Sequence, residues 1–158
     1  VSDPLAILVL LTALGCALIG GVFFAFSNFV MQGLGRTSGG MAAMQSINVT
    51  VLNSTFLGIF FGTGIGCLVL AGVSLARWEA AGSARLLAGS LLYLIGNIAV
   101  TMFFNVPRNE ALRRGDAASR EGAALWADYR IGWTRWNHVR TVTALAAATL
   151  LGSSKGIS

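Results

Sequence analysis

Residues 5–31 read LAILVLLTALGCALIGGVFFAFSNFVM, and this stretch decides the fold. It holds no charged side chain, and the uncharged run around it extends from Asp3 to Arg36. A helix of roughly 20 apolar residues crosses the hydrocarbon of a bilayer, so the run predicts a membrane span from about Leu5 to Met31. Pro4 suits the first turn of such a helix. The segment opens with an acid and is too long for the apolar core of a signal peptide, so it reads as a lasting span. Outward from it the pattern recurs: no charge separates Arg36 from Arg77, or Arg85 from Arg108. Only 11% of the 158 residues are charged, against 55% hydrophobic, and the mean hydropathy is +0.73. Such a chain lacks the polar surface that a water-soluble domain needs.

The reading is a single transmembrane domain over residues 1–158, all-α, built as an integral membrane four-helix up-and-down bundle with an interfacial helix before the fourth span. After the first helix, glycines 33, 35, 39 and 40 break the chain, and a short amphipathic stretch from Met41 to Ser54 follows. The second span covers about Thr55–Ala76 and carries Gly58, Gly62 and Gly66 at spacing four, a small-residue stripe that lets another helix approach. A contact between copies of the chain in a homo-oligomer would use that stripe equally well. The third span covers about Leu86–Val106 and is expected to stop at Pro107. Arg108 to Asn137 is polar with an aromatic face at Trp126, Tyr129, Trp133 and Trp136, the pattern of a helix lying at the interface. The fourth span, about His138–Gly152, is short and requires either that the preceding helix continue into it or that Arg140 snorkel.

The net charge of +5 does not point to nucleic acid, because the arginines lie in loops between apolar segments with no basic aromatic face outside them. Arg36, Arg108, Arg113, Arg114, Arg120, Arg130, Arg135 and Arg140 fall on one side, and Arg77, Arg85 and Lys155 on the other. The positive-inside rule then places the protein in the cell membrane with both termini away from the cytoplasm. Cys16 and Cys67 lie mid-span without CxxC spacing and read as packing residues.

In such a bundle the end of the first span, the start of the second, the end of the third and the start of the fourth share one membrane face. Polar residues gather there: Ser27, Asn28 and Gln32; Gln45, Asn48 and Asn53; Asn97, Thr101, Asn105 and Asn109; Asn137, His138, Arg140 and Thr141. An amide without a partner in hydrocarbon costs several kcal/mol, so the set implies either helix-to-helix hydrogen bonds or a wet pocket. His138 is the only histidine. It is either a base able to exchange protons near neutral pH or an interfacial anchor. Arg140 is either a snorkelling cation or a fixed charge for an oxyanion. A metal site has too few ligands around one histidine.

Four motifs carry a family resemblance: Phe24 to Met31 (FAFSNFVM), Met44 to Asn48 (MQSIN), Phe104 to Asn109 (FNVPRN) and Trp133 to Thr141 (WTRWNHVRT). Together and in this order they resemble the anthrone oxygenase-like family of small integral membrane proteins, over nearly the whole chain. The resemblance implies an oxygenase that converts a lipophilic anthrone-like molecule with dioxygen, without metal or flavin. Loss of a proton from the acidic carbon of an anthrone gives an electron-rich enolate that reacts directly with dioxygen. That chemistry needs a base, donors for the enolate oxygen and an apolar cavity reached from the bilayer. Under it His138 is the base, and Asn105, Asn109, Asn137 and Arg140 hold the oxygen. Asn28, Gln45, Asn48, Asn97, Thr101 and Thr141 complete the polar wall, and Trp133 or Trp136 flanks the rings. Two competing classes remain: a non-catalytic binding or transport protein for a lipophilic small molecule, and a redox enzyme with haem or copper at His138.

Overall fold

The computed structural model describes residues 3–154, which fold into five helices with no strand among them. Lys155, counted above with the cations of one side, lies outside the described residues. Helix α1 spans Pro4–Leu34, α2 Gly40–Thr50, α3 Ser54–Ala76, α4 Ser83–Arg114 and α5 Arg120–Gly152. Each start has a local cause. The Asp3 carboxylate accepts from the Leu5 amide at 3.0 Å and Pro4 fills the first position. Asn53 caps α3 through the Phe56 amide at 2.9 Å, and Ser119 caps α5 through the Gly122 amide at 2.9 Å. Between α3 and α4, Gly82 takes φ 91°, a left-handed conformation that a side chain would oppose.

Helices α1, α3 and α4 are long and apolar enough to cross a membrane. Their outward faces agree with that reading: Leu10, Leu14, Ile65, Leu68 and Phe103 are all exposed, Phe103 by 73%. In water such a belt would be an aggregation surface, whereas hydrocarbon solvates it without cost. Three elements depart from the sequence reading. The amphipathic stretch closes as α2 at Thr50, ahead of a break at Val51 to Asn53. The third span does not stop at Pro107; α4 continues to Arg114. The backbone just before the proline is widened to π-helix over Thr101–Asn105, and the wider turn absorbs a residue that can neither donate nor tolerate the carbonyl of the preceding turn. Finally, no separate interfacial helix precedes the fourth apolar segment. Both belong to one 33-residue helix, α5. Its charged half keeps it outside the set that qualifies for crossing on length and apolarity alone.

The four long helices contact in a ring: α1 meets α3 and α5, and α4 meets α3 and α5. Neighbours run antiparallel, as the registers show. On α1 and α3, Gly15 faces Thr63 while Thr12 faces Gly66; on α4 and α5, Gly89 faces Leu151 while Gly96 faces Thr143. Two cores result. One is built on Cys16, Ile19, Phe60, Cys67, Tyr93 and Leu151 toward the chain termini. The other, on Met31, Met41, Met44, Leu112, Tyr129 and Trp133, lies toward α2. The glycine stripe of α3 is only partly used inside the fold. Gly66 packs on Thr12, but a β-carbon at Gly58 or Gly62 would meet nothing within 4 Å.

Candidate active site

A cavity of about 470 Å³ opens between the two cores. Its walls are mainly apolar and aromatic: Phe23 and Phe26 from α1, Phe56, Phe60 and Phe61 from α3, and Trp133 from α5. The polar side chains that reach it are Gln45 and Asn48 of α2, Thr101 and Asn109 of α4, and Arg140 of α5, with Glu110 and Arg113 at the end near the α4 terminus. A large apolar volume with a few fixed polar groups is the usual form of a small-molecule site.

Arg140 dominates its electrostatics. The side chain is 4% exposed. Nη1 donates to Thr101 Oγ1 at 3.2 Å and Nη2 to Asn137 Oδ1 at 2.7 Å, while Nε is buried without a partner. The guanidinium carbon lies 4.0 Å from the centre of the Phe23 ring and 5.1 Å from that of Trp133. Those ring faces compensate part of the desolvation by cation–π attraction. No carboxylate pairs with it among the described residues, where the only ion pairs join Glu110 to Arg113 and Arg114. An uncompensated buried charge costs several kcal/mol, so the site is poised to accept an anion. Snorkelling, one of the two conditions set for a fourth span, does not occur; the other, continuity with the preceding helix, is what the chain adopts.

Asn137 is the residue that fixes Arg140. It is fully buried, and its amide nitrogen donates to the Phe23 carbonyl at 2.7 Å and to Ser27 Oγ at 2.8 Å. Its oxygen is thereby left facing the guanidinium. The Ser27 end of this bond lies in a π-helical turn of α1, Phe26–Val30, a local widening of a kind that recurs at functional positions. A second cluster lies beside the cavity: the Tyr129 hydroxyl donates to Asn109 Oδ1 at 2.9 Å and accepts from Asn48 Nδ2 at 3.3 Å. Tyr129 was read in sequence only as part of an interfacial face. Its burial depends on α2 and α4 folding over it, which no local pattern announces.

The other expected site residues divide. Gln45 reaches the cavity, but its amide donates to the carbonyls of Leu112 at 2.8 Å and Gly115 at 2.9 Å, so it latches α2 onto the end of α4. Asn105 Nδ2 donates to the Trp133 carbonyl at 3.3 Å and ties α4 to α5. Asn97 lies 3.1 Å from the Thr143 hydroxyl, and Thr141 lies 3.2 Å from that of Ser27; both are helix-to-helix links away from the cavity. Trp136 stacks on Phe104 with centroids 3.6 Å apart and takes no part in the lining. Asn28 points outward and is exposed.

His138 is the main correction. It is exposed and lines a different, more open groove with Arg36, Arg130 and Arg135, on the opposite side of α5 from Arg140. Two positions along a helix differ by about half a turn, so adjacency in the WNHVR motif separates the imidazole from the guanidinium. There the imidazole lies outside the lining of the apolar cavity. Its groove also suits neither proposed metal centre: three guanidiniums oppose a copper ion, and an open polar groove does not enclose the apolar macrocycle of a haem. Among the described residues no three of His, Cys, Asp or Glu stand together.

The anthrone oxygenase family model matches residues 53–150. No curated protein and no solved structure gives a match. The matched segment holds α3, α4 and nearly all of α5, and with them Thr101, Asn109, Asn137 and Arg140. The motifs around Phe104 and Trp133 fall inside it, whereas those at Phe24 and Met44 lie before it. Since the match spans well over half of the chain, the protein belongs to the anthrone oxygenase family.

Proposed function

We propose that the protein is a membrane oxygenase that takes a flat lipophilic anthrone-like molecule into the α1–α3–α4–α5 cavity and binds it as the enolate, with the enolate oxygen against Arg140. The family suggests an oxygenase-type function. The observation that carries the finer reading is the buried Arg140, unpaired with any carboxylate among the described residues and open to an aromatic-walled cavity. A fixed positive charge in a water-poor site favours ionisation of the bound carbon acid and costs no reorganisation as the charge develops. The carbanion then passes electrons to dioxygen, a carbon–oxygen bond forms, and the resulting hydroperoxide loses water to leave the carbonyl. The balance is one substrate and one dioxygen giving one quinone and one water, with no metal or flavin required. Glu110, the carboxylate lining the cavity at the α4 terminus, is held ionised by Arg113 and Arg114, its pKa pushed down to about 2, so the released proton passes to solvent at that end of the cavity and not to a carboxylate base.

In this reading α5 is the fourth crossing of an up-and-down bundle. The antiparallel registers support it, as does the change along the outward face of α5 from Asp128, Arg135 and His138 to Val142 and Leu145. The arginines at the α2 end of the bundle, Arg36, Arg108, Arg113, Arg114 and Arg120, set against Arg77 and Arg85 at the other, favour termini away from the cytoplasm. The test is dioxygen uptake by the detergent-solubilised chain with anthrone as substrate. Uptake that depends on Arg140 is expected. Binding of anthrone without uptake would leave a carrier in place of an oxygenase.

A further inference from the structure

The groove that receives His138 is itself built for a ligand. We propose that it binds a phosphate group, that of an anionic phospholipid held at headgroup depth. Arg36 from the end of α1 and Arg130 and Arg135 from α5 converge on it, with the Ser27 and Thr134 hydroxyls and the Gln32 amide between them. No carboxylate pairs with any of the three arginines among the described residues. Two buried polar atoms at the groove, Arg130 Nε and Thr134 Oγ1, have no partner. Three guanidiniums without a carboxylate partner around one groove suit an acceptor with several oxygens.

Arg130 is held in place rather than loose. Its guanidinium lies over the Trp126 ring at 6.0 Å and rests against Gly35, where any β-carbon would collide with it. The glycine is therefore the residue that admits the cation. The height of the groove identifies the source of the phosphate. On α1 the outward residues change from Phe24 and Phe29 to Gln32 and Arg36, and on α5 they change in the opposite chain direction from Val142 to His138 and Arg135. Both changes mark the border of the hydrocarbon, and the groove lies on it. Basic pockets between helices at that depth recognise anionic headgroups. A zwitterionic headgroup would bring its own ammonium against the arginines.

The experiment is a titration of the full chain in neutral detergent with short-chain phosphatidylglycerol, with short-chain phosphatidylcholine as comparison, read by native mass spectrometry. Phosphatidylglycerol is expected to bind about tenfold more tightly than phosphatidylcholine. The double variant Arg130→Gln/Arg135→Gln should lose that preference. Arg36→Gln, at an exposed position just past the end of α1, should reduce it in part. Displacement of the lipid by inorganic phosphate would identify free phosphate as the ligand of the same site; resistance to it would identify the headgroup. Equal binding of the two lipids by the natural chain overturns the proposal. So does an unchanged preference in Arg36→Gln and in a double variant whose thermal unfolding matches the natural chain.

Discussion

Arg140 shows how one residue can carry opposite meanings until its surroundings are fixed. Near the start of an apolar segment it reads equally as a snorkelling anchor or as a site charge, and burial against Phe23 and Trp133 selects the second. Replacing it by methionine keeps the volume and removes the charge, so dioxygen uptake with anthrone should fall about 100-fold, the scale of losing one oxyanion donor. Arg140→Lys keeps the charge without the planar fork and should fall between the two. His138→Ala should cost less than about tenfold, since its groove faces away from the cavity. A His138→Ala loss as large as that of Arg140→Met would return the histidine to the reaction.

Asn137→Asp tests the missing counter-charge directly. It supplies the carboxylate that Arg140 lacks at nearly constant volume and gives up the bond donated to the Phe23 carbonyl, so thermal unfolding is compared alongside. An internal ion pair competes with the substrate enolate, so KM for anthrone should rise about tenfold. If KM is unchanged in a folded Asn137→Asp protein, the guanidinium does not meet the substrate anion.

At the scale of elements, glycines record where helices touch. Gly96 lies against Thr143, so a β-carbon there would strike the whole threonine side chain. Gly96→Ala should destabilise by about 1–3 kcal/mol, the usual result of overpacking. Gly62→Ala has open space and should be neutral or stabilising by up to about 1 kcal/mol through helix propensity. Thermal unfolding in detergent compares the two. A midpoint for Gly96→Ala at or above that of Gly62→Ala would contradict the packing of α4 on α5. The π-helical stretches belong to this scale too. They occur where α1 and α4 carry Ser27, Asn97, Thr101 and Asn105, and they re-aim these polar groups relative to an ideal helix. Proline breaks a regular helix, which is why the sequence predicts an end at Pro107; the widened turn before it lets α4 run on.

At the scale of the whole molecule, the arrangement across the bilayer is testable by cysteine accessibility, because Cys16 and Cys67 are buried and give little background. Gly39→Cys, before α2, and Ala118→Cys, before α5, should react with an impermeant thiol reagent from the cytoplasmic side of oriented vesicles. Ala81→Cys, between α3 and α4, should react only from the other side. Labelling of all three from one side would remove α3 and α4 from the set of crossings.

The sequence by itself determined the solvent of this protein, the three long apolar helices and the family. Charge-free runs of this length have one physical use, and the close-set Trp, Asn, His and Arg of the last motif are legible without coordinates. It also brought Arg140, Asn48, Asn109 and Thr101 to one end of the helices, and all four line the cavity. Tertiary structure alone decided which side of α5 faces the cavity, and so parted Arg140 from His138. It also turned Gln45, Asn97, Asn105 and Thr141 into links between helices, and drew Tyr129 and the phenylalanines of α3 to the site. The reason is rotational. Hydropathy records how deep a residue sits along the membrane normal, but with polar residues on more than one face of α5, only the packing of α1 and α4 against it fixes where each one points.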